Sequence, residues 1–542
     1  MVADGRASRG RWLIGGRFGG QDAHVAPCGR GGEMKIGLLG GGTVGSSVVR
    51  ILSERCDELE ALCGERLTPA RVLVRDGTKP RAPHLSGSLT TDPSRVVDDP
   101  EISIVVEALG GVEPARTLVL RALESGKSIV TANKALMAEA GPELFRAARA
   151  HGAVVRFEAS VAASVPVLAA LREVLTGERI HAVAGILNGS TNFLLDAMDE
   201  GAGRESALAL ARREGYLEAD PRDDLEGIDS ARKLALLGSV IWGEGIPVRA
   251  VPVWGMEEVA ERDVRLAPAL GRRLRLLAWA ERLGTQEEGS LLLAVEPALL
   301  PSTHPLANLA GASSGVSLFG DPGGETFLAG SGAGGGPTAL AVVGDLVSTA
   351  RLLRRGGEVV PAPWEREMAQ ERIVSPGGRY AARVEAPSGP PNAASLARLA
   401  FLEEEAESFA RERPSLASTL KADPDTGSRS VGVEQAGLGP ELVSAGDGAY
   451  WLLVDLPSRL AFHSLQEAVL HLPGVRAVGS VFRLWDAPRD RAPLFVTGAG
   501  EVRNEGAGRT TRWAGSGHGS DRRDLDGPDL SPPHASLGGD LR

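Results

Sequence analysis

Lys35–Leu39 forms a short, mostly apolar run that stops at glycine, which predicts a buried strand. After the turn Gly40-Gly41-Gly42-Thr43-Val44-Gly45 the apolar spacing lengthens, and Ser46 to Leu59 predicts a helix. Further strand-like runs follow at Arg71–Val74, Ile102–Glu107, Ser128–Thr131 and Val154–Phe157. Strands alternating with helical stretches predict a parallel sheet with crossover helices. The alternation changes after Pro166. From there to about Gly344 the pattern predicts a second domain, with a helix at Val167–Leu175, a strand at His181–Leu187, the loop Asn188-Gly189-Ser190-Thr191-Asn192 and a helix at Phe193–Met198. A helix at Ala339–Arg355 follows and is placed to pack back on the first domain. Farther on, strands at Arg379–Glu385, Ser428–Gln435, Ala449–Leu456 and Val475–Leu484, with helices at Ala393–Ala410 and Leu460–Leu472, run in the order β-α-β-β-α-β of a ferredoxin-like split unit.

Composition narrows the classes. A chain of 542 residues has room for two to four domains. Net charge is −11 and no basic stripe with interleaved aromatics occurs, which argues against nucleic acid as a partner. No apolar run reaches the roughly 20 residues that span a bilayer, so no membrane association is expected. The three cysteines, Cys28, Cys56 and Cys63, lack CxxC spacing, which argues against a zinc site or a disulfide framework and fits a reducing cytoplasm. Residues 1–33 are rich in Gly and Arg without a continuous apolar segment and are expected to be a disordered extension or a start site assigned too early, since Met34 directly precedes a strand pattern. The tail 486–542 has a similar composition and the same expectation.

Gly40, Gly42 and Gly45 form GxGxxG between a strand and a helix, the context in which the motif binds a dinucleotide. The first glycine allows the tight turn, the second lets the backbone approach a pyrophosphate, and the third lets helix and strand pack closely; Thr43 and Val44 lie at the helix N-terminus that would face the phosphates. At the end of the second strand stand Arg75-Asp76, with Lys79 and Arg81 close behind. An acidic residue there suits the ribose of NAD and basic residues suit the 2′-phosphate of NADP; both kinds are present, and the balance leans to NADP. Ala108-Leu109-Gly110-Gly111 and Ala132-Asn133-Lys134 follow the next two strands at the edge where such sheets bind ligands.

The densest polar stretch is Gly215 to Lys233, in which six carboxylates and Lys233 precede the apolar run Leu234–Leu237. Asp229 and Lys233 lie four apart on one face of a helix starting near Gly227, and Glu218 and Asp224 lie on the loop before it. On an arbitrary helix such a pair is a solvent-exposed salt bridge. A dinucleotide motif upstream and Lys134 at a strand end make Lys233 a candidate for chemistry instead. Near the end of the second domain, Gly330–Thr338 offers further backbone N–H groups at a helix N-terminus.

Together, GLLGGGTVG, VVEALGG, TANKAL, FEASVAASVP, GILNGSTNFLL, GYLEADPRDDLEGIDSARK, HPLA and GSGAGGGPTA, in this order over residues 34 to 355, resemble homoserine dehydrogenase. The resemblance implies reduction of aspartate 4-semialdehyde to L-homoserine with NADPH or NADH, towards threonine and methionine. It implies Lys233 as proton donor and acceptor, Lys134 in contact with substrate and cofactor, Glu218 on the substrate amino group, and Asp224 and Asp229 completing the pocket. Gly42, Val44, Gly110 and Gly334 would lie along the cofactor. Glu158, Val161, Ala163 and Val165 correspond to a sodium site built largely of carbonyl oxygens, which suits a hard cation. The chain departs from the family where Ala163-Ser164 replaces two glycines and Ser190 replaces threonine.

The expected architecture is α/β: a Rossmann-type doubly wound NAD(P) domain at 34–160, a substrate-binding, catalytic and dimerisation domain at 161–335, a returning helix at 336–360, and a ferredoxin-like domain at 378–485. The last resembles the ACT domain that binds a regulatory amino acid, usually threonine, although Ser388-Gly389-Pro390-Pro391 stands where Pro-Gly is usual. A structural or dimerising role is its alternative. A homodimer or homotetramer is expected. The competing readings are another NAD(P)-dependent dehydrogenase of small aldehydes or amino acids, and a non-catalytic amino-acid sensor on the same fold.

Overall fold

The computed structural model describes residues 32–217, 220–284, 289–356, 362–374, 378–386, 441–446, 449–456, 475–486, 495–497 and 501–503, with the single positions 470 and 488. The first sheet comprises β1 (Gly32–Leu39), β2 (Glu65–Leu73), β3 (Leu89–Thr90), β4 (Ile102–Glu107), β5 (Ser128–Thr131) and β6 (Val155–Arg156). Its order is β3-β2-β1-β4-β5-β6, and every pairing is parallel. This is the doubly wound order, in which the chain reverses direction of travel between β1 and β4 and opens a crevice at the carboxyl ends of those strands.

The strands read as continuous apolar runs because both faces are covered. On one face Ile36, Leu38 and Val72 pack with Val48 and Leu52 of the helix Thr43–Glu54 and with Val342 and Leu346 of the helix Gly335–Arg354. On the other, Val105 and Ile129 meet Val119 and Leu123 of the helix Ala115–Glu124 and Leu136 and Leu144 of the helix Lys134–Ala150. The helix Gly335–Arg354 thus belongs structurally to the first sheet although it lies some 200 residues downstream of β5.

The second sheet gathers β7 (Ala182–Ile186), β8 (Arg272–Leu283), β9 (Ser290–Pro301), β10 (Ser313–Gly320), β11 (Gly324–Ser331), β12 (Ile373–Val374), β13 (Gly378–Glu385), β14 (Glu441–Gly446), β15 (Ala449–Leu456) and β16 (Ala477–Leu484). Its order is β11-β10-β7-β8-β9-β16-β13-β15-β14, with β12 also on β9. The helix Ile228–Trp242 covers this sheet, placing Leu234, Leu236 and Leu237 in one core with Leu276, Leu291 and Leu293.

The C-terminal strands β16-β13-β15-β14 are antiparallel at each junction, which is the order and direction of a split β-α-β-β-α-β unit. They do not stand apart, however. β16 pairs in parallel with β9 at Arg483–Ala298 and Leu484–Leu299, so one sheet runs from β11 to β14. A buried polar knot closes the seam: Arg483 Nε donates to Glu296 Oε1 at 2.5 Å, Trp279 Nε1 donates to the same oxygen at 3.1 Å, and the Arg483 guanidinium lies 4.7 Å from the Trp279 ring centre and 4.8 Å from that of Tyr380. Within the separate unit Ala492–Arg542, Phe495–Thr497 and Glu501–Arg503 form a two-stranded hairpin.

Several expected boundaries shift. β1 starts at Gly32, inside the stretch expected to be extension, because Gly32 and Glu33 pair with Glu65 and Arg66. The helix expected at Ser46–Leu59 begins at Thr43 and breaks at Arg55, after which Cys56–Cys63 forms a second helix. The loop expected at Asn188–Asn192 is the start of the helix Gly189–Asp199, because the Asn188 side chain accepts from Thr191 N and caps it. The helix expected at Val167–Leu175 is one turn, Val167–Ala169, that widens into a π-turn, Ala170–Val174. In the C-terminal unit the second strand position is filled by Glu441–Gly446; the strand expected at 428–435 and the helices expected at 393–410 and 460–472 lie outside the described residues, Leu470 excepted.

Candidate active site

At the head of the crevice the glycines act as the motif requires. Gly40 has φ +114°, and a Cβ there would sit 2.5 Å from the Ala108 carbonyl oxygen. At Gly45 a Cβ would lie 2.0 Å from the Gly40 carbonyl, so only glycine lets the helix start this close to the strand end. Gly42 differs, because a Cβ built on it meets no atom within 4 Å. The turn therefore opens at Gly42 onto space that a ligand can approach, and Gly42 and Thr43 are exposed with Val44 half-buried beside them. The N-terminus of the helix Gly335–Arg354 abuts this one: a Cβ on Gly335 would lie 2.4 Å from Thr43 Cγ2. Two helix N-termini thus flank the opening, with Gly334 at φ +112° and Gly110 at φ +77° on exposed turns.

Basic groups surround the end of β2. Arg75 and Lys79 are exposed there, while Arg81 donates to the Gly41 carbonyl at 2.9 Å and to Asp76 O at 3.3 Å. The Asp76 carboxylate accepts from Thr78 Oγ1 at 2.6 Å and Thr78 N at 2.9 Å, bonds that hold it below the usual carboxylate range.

Deeper in the crevice Asp229 joins two lysines. One carboxylate oxygen bonds Lys134 Nζ; the other lies 2.8 Å from Lys233 Nζ and accepts from Asn188 Nδ2 at 2.9 Å. Lys233 also donates to the Leu187 carbonyl at 2.7 Å, and Asn188 Nδ2 donates to Asp224 Oδ1 at 2.7 Å. The Asp229 side chain is 3% exposed, that of Lys233 12% and that of Lys134 37%, so the cluster passes from buried carboxylate to accessible ammonium. Burial opposes ionisation of Asp229, but the Lys233 and Lys134 charges override it and hold the carboxyl well below the usual range. For Asp224 burial wins: its carboxyl is pushed up, against the Asn188 hydrogen bond and with the help of the Asp229 charge.

Local structure sets these positions. Gly227 has φ +82°, and a Cβ there would press within 3.0 Å of Val253 Cγ1; from that turn the helix Ile228–Trp242 starts, which puts Asp229 in the first turn, where a carboxylate is favoured, and Lys233 one turn on. Lys134 is the first residue of its helix, and Asn133 caps it by accepting from Leu136 N at 3.1 Å. Asn133 Nδ2 reaches the Gly111 carbonyl at 2.6 Å and Glu107 at 3.3 Å, and Glu107 accepts from Leu109 N at 2.8 Å and Thr131 Oγ1 at 2.5 Å. Burial pushes the Glu107 carboxyl up, and these donors offset it in part. The glycine turn 109–111 and the lysine are thus tied to one buried acid.

Glu158, Val161, Ala163 and Val165 lie on one short segment after β6. Ala163 has φ +49°, the only positive value among the described non-glycine residues, a strained conformation where glycine would be at ease. The Glu158 and Val165 carbonyls already accept from Val161 N at 3.3 Å and Val167 N at 2.8 Å, and each keeps a second lone pair. The Glu158 side chain accepts from Leu168 N at 2.8 Å and Ala169 N at 2.6 Å, and the Glu158 backbone N–H donates to Asp345 Oδ2 at 2.8 Å. Burial, and then the Asp345 charge, push its carboxyl up to about 7. Among the described residues no three His, Cys, Asp or Glu side chains group as a metal site, so a cation here would rest on carbonyl oxygens.

The structure therefore brings Lys134, Asp224, Asp229 and Lys233 together and sets Gly40, Gly42, Thr43, Val44, Gly45 and Gly334 around the opening. Arg75 and Lys79 stand exposed at the strand end, and Glu218 lies outside the described residues. The sequence reading assigned no role to Asn188, Asn133 or Glu107. A cap position followed by Gly-Ser-Thr was the available signal for Asn188, since cap residues have a fixed direction to point in. Asp223, with no site role, pairs with Arg232 at 2.6 Å on the surface.

A doubly wound domain with an open glycine turn and Lys134 at a strand end, beside a second domain that adds the buried carboxylate of Asp229 and Lys233, defines a nicotinamide-dependent oxidoreductase of two-domain type. Family models match in the same places: "Homoserine dehydrogenase, NAD binding domain" over residues 40–158 and "Homoserine dehydrogenase" over residues 166–347. A homoserine dehydrogenase of Synechocystis is 42% identical over 327 residues, 60% of this chain and 75% of the relative; one of Corynebacterium glutamicum is 41% identical over 351 residues, 64% and 78%. The crystal structure of a homoserine dehydrogenase from Thiobacillus denitrificans superposes with TM-score 0.69 at 34% identity, covering 84% of this chain and 98% of that one. The chain belongs to the homoserine dehydrogenase family and is an NAD(P)-dependent oxidoreductase.

Two outcomes follow from this geometry. Asn188→Ala removes the one donor shared by Asp224 and Asp229, and kcat/KM for homoserine should fall by about 10–100-fold, the equivalent of a lost charge-assisted hydrogen bond, with the cofactor KM unchanged; an unaltered kcat/KM would show that the bridge does not order the site. For Glu158, the folded-state pKa of about 7 exceeds the unfolded value of 4.5, so stability is greatest below about 4.5 and is lost as pH rises to about 7. Glu158→Gln should flatten thermal unfolding against pH across that window, by on the order of 1–3 kcal/mol. Parallel curves for the two proteins would contradict it.

Proposed function

We propose that the Asp229-bridged lysines form the proton-transfer centre for interconversion of L-aspartate 4-semialdehyde and L-homoserine, with Lys233 as proton donor and acceptor. The observation that carries this reading is the carboxylate of Asp229, which engages Lys134 with one oxygen and Lys233 with the other at the inner end of the crevice. Carbonyl reduction builds negative charge on the aldehyde oxygen, and a positioned ammonium stabilises it and supplies the proton. Lys233, more enclosed and oriented by the Leu187 carbonyl, gives its Nζ proton to that oxygen; in the reverse direction its neutral amine takes the hydroxyl proton. Lys134, more accessible, holds the substrate and the cofactor side of the crevice. Asp229 stays ionised throughout. Glu218 is proposed to bind the substrate ammonium group, with Asp224 beside it; Ser190 Oγ supports that loop by donating to the Tyr216 carbonyl at 2.6 Å.

When bound, the nicotinamide supplies or accepts the hydride. Gly40, Gly42, Thr43, Val44, Gly45, Gly110 and Gly334 would hold it, and the open space over Gly42 fits a pyrophosphate. NADP is the proposed partner over NAD, since Arg75, Lys79 and Arg81 offer three guanidinium or ammonium groups near one ribose position while the Asp76 carboxylate is engaged by Thr78. The carbonyls of Glu158, Val161, Ala163 and Val165 are proposed to hold a structural sodium ion. The chain is proposed to work in the cytoplasm, where Cys56 and Cys63 stay free thiols, as a homodimer or homotetramer. β13–β16 are proposed to serve as an ACT-like effector domain, on the strength of their strand order.

Purified protein with L-homoserine and NADP or NAD tests the central claim. Wild type should reduce the cofactor, and Lys233→Ala should lower kcat by about 10²–10⁴-fold with cofactor binding retained; full activity in the variant sinks the mechanism. Added threonine should lower the wild-type rate, and a rate unchanged across a wide threonine range removes the case for threonine feedback.

A further inference from the structure

A second, half-open cavity lies away from the crevice, behind the β6 edge of the first sheet. It has a volume of about 440 Å³, in the range of small-molecule sites. Its apolar walls include Phe145, Phe157, Leu168 and Leu171, and Val240 and Ile241 from the end of the helix that carries Lys233 also face it. Arg156 and Arg172 line it too.

The anomaly is polar: Arg149 and Glu178 also line the space, and Glu178 Oε2, like atoms of Arg156 and Arg172, is buried without a partner among the described residues. Arg156 is 8% exposed, and among the described residues its Nε and Nη1 have no hydrogen-bond partner; Nε of Arg172 has none either. Arg172 approaches carboxylates only loosely, Glu173 at 3.7 Å and Asp345 at 3.9 Å. Burial and the neighbouring Arg172 charge both disfavour the Arg156 cation, and the Asp345, Glu173 and Glu158 charges compensate in part. A buried guanidinium without partners is costly, and a carboxylate satisfies it best because two oxygens match the planar fork. Phosphate or sulfate would leave the aromatic and aliphatic walls uncovered.

We propose that this cavity is a binding site for a small monocarboxylate with an apolar tail, its carboxylate on Arg156 and Arg172 and its tail against Phe145, Phe157, Leu168 and Leu171. The site lies outside the crevice, and its occupancy is measurable without turnover.

Calorimetric titration of the full chain with 4-methylpentanoate tests it, beside the neutral isostere 4-methylpentanamide. The acid should bind and the amide should bind at least about tenfold more weakly. Arg156→Gln should weaken the acid by a similar factor. Leu171→Trp, which fills the space and keeps both arginines, should abolish binding and decides the matter if the first variant does not fold. Binding of leucine or 4-methyl-2-oxopentanoate with the same Arg156 dependence supports the site and tells amino acid from oxo acid as the source. No binding of the acid by folded protein, equal binding of the amide, or affinity unchanged in folded variants overturns it.

Discussion

Everything in the crevice depends on one carboxylate that stays charged where water does not reach. Asp229 is ionised only because two ammonium groups share it, and the lysines are oriented only because the carboxylate is fixed in the first turn of a packed helix. The two lysines come from different halves of the molecule, Lys134 from the helix after β5 and Lys233 from the helix that covers the second sheet. The ion triad is therefore a buried polar joint between the halves. A buried charge deprived of one partner is much more costly than a surface one, so each lysine matters to the joint as well as to its own helix.

Around that joint, hydrogen bonds distribute the positioning. Glu107 and Asn133 tie the Gly110 turn to the start of the Lys134 helix, and Asn188 links Asp224, Asp229 and the cap of the following helix. A displacement of the Gly110 turn would therefore be felt at Lys134 through Glu107 and Asn133, without rearrangement of the sheet. Such compact coupling suits a reaction in which hydride and proton must arrive at one carbonyl together.

Much of this was legible in the residues. The glycine turn and the parallel strands were readable because their constraints are local: a Cβ clash at Gly40 or Gly45, a continuous apolar run. Asp229 and Lys233 were readable as a pair, four apart on one helix, and Lys134 as a lysine at a strand end, but the contact that joins them spans 95 residues and has no local signature. Gly189 to Asn192 read as loop because glycine and short polar residues favour turns, and the structure overrules that propensity with the Asn188 cap. The Arg156 cavity had no local signature, since an arginine next to a strand end reads as solvent-exposed until tertiary packing covers it. The merger of the C-terminal strands with the second sheet was equally hidden, because β9 and β16 pair through only two residue positions 185 apart.

That merger has a mechanical meaning. β9 is shared by two subassemblies: β8 and the helix Ile228–Trp242 lie against it on the catalytic side, and β16 adds the C-terminal unit along its other edge. The C-terminal unit is therefore an edge guard, covering part of a strand whose N–H and C=O groups would otherwise be open to pairing with another chain. Loss of that unit would leave a sticky strand end with Glu296 buried beneath it and stripped of Arg483, so its cost falls on solubility.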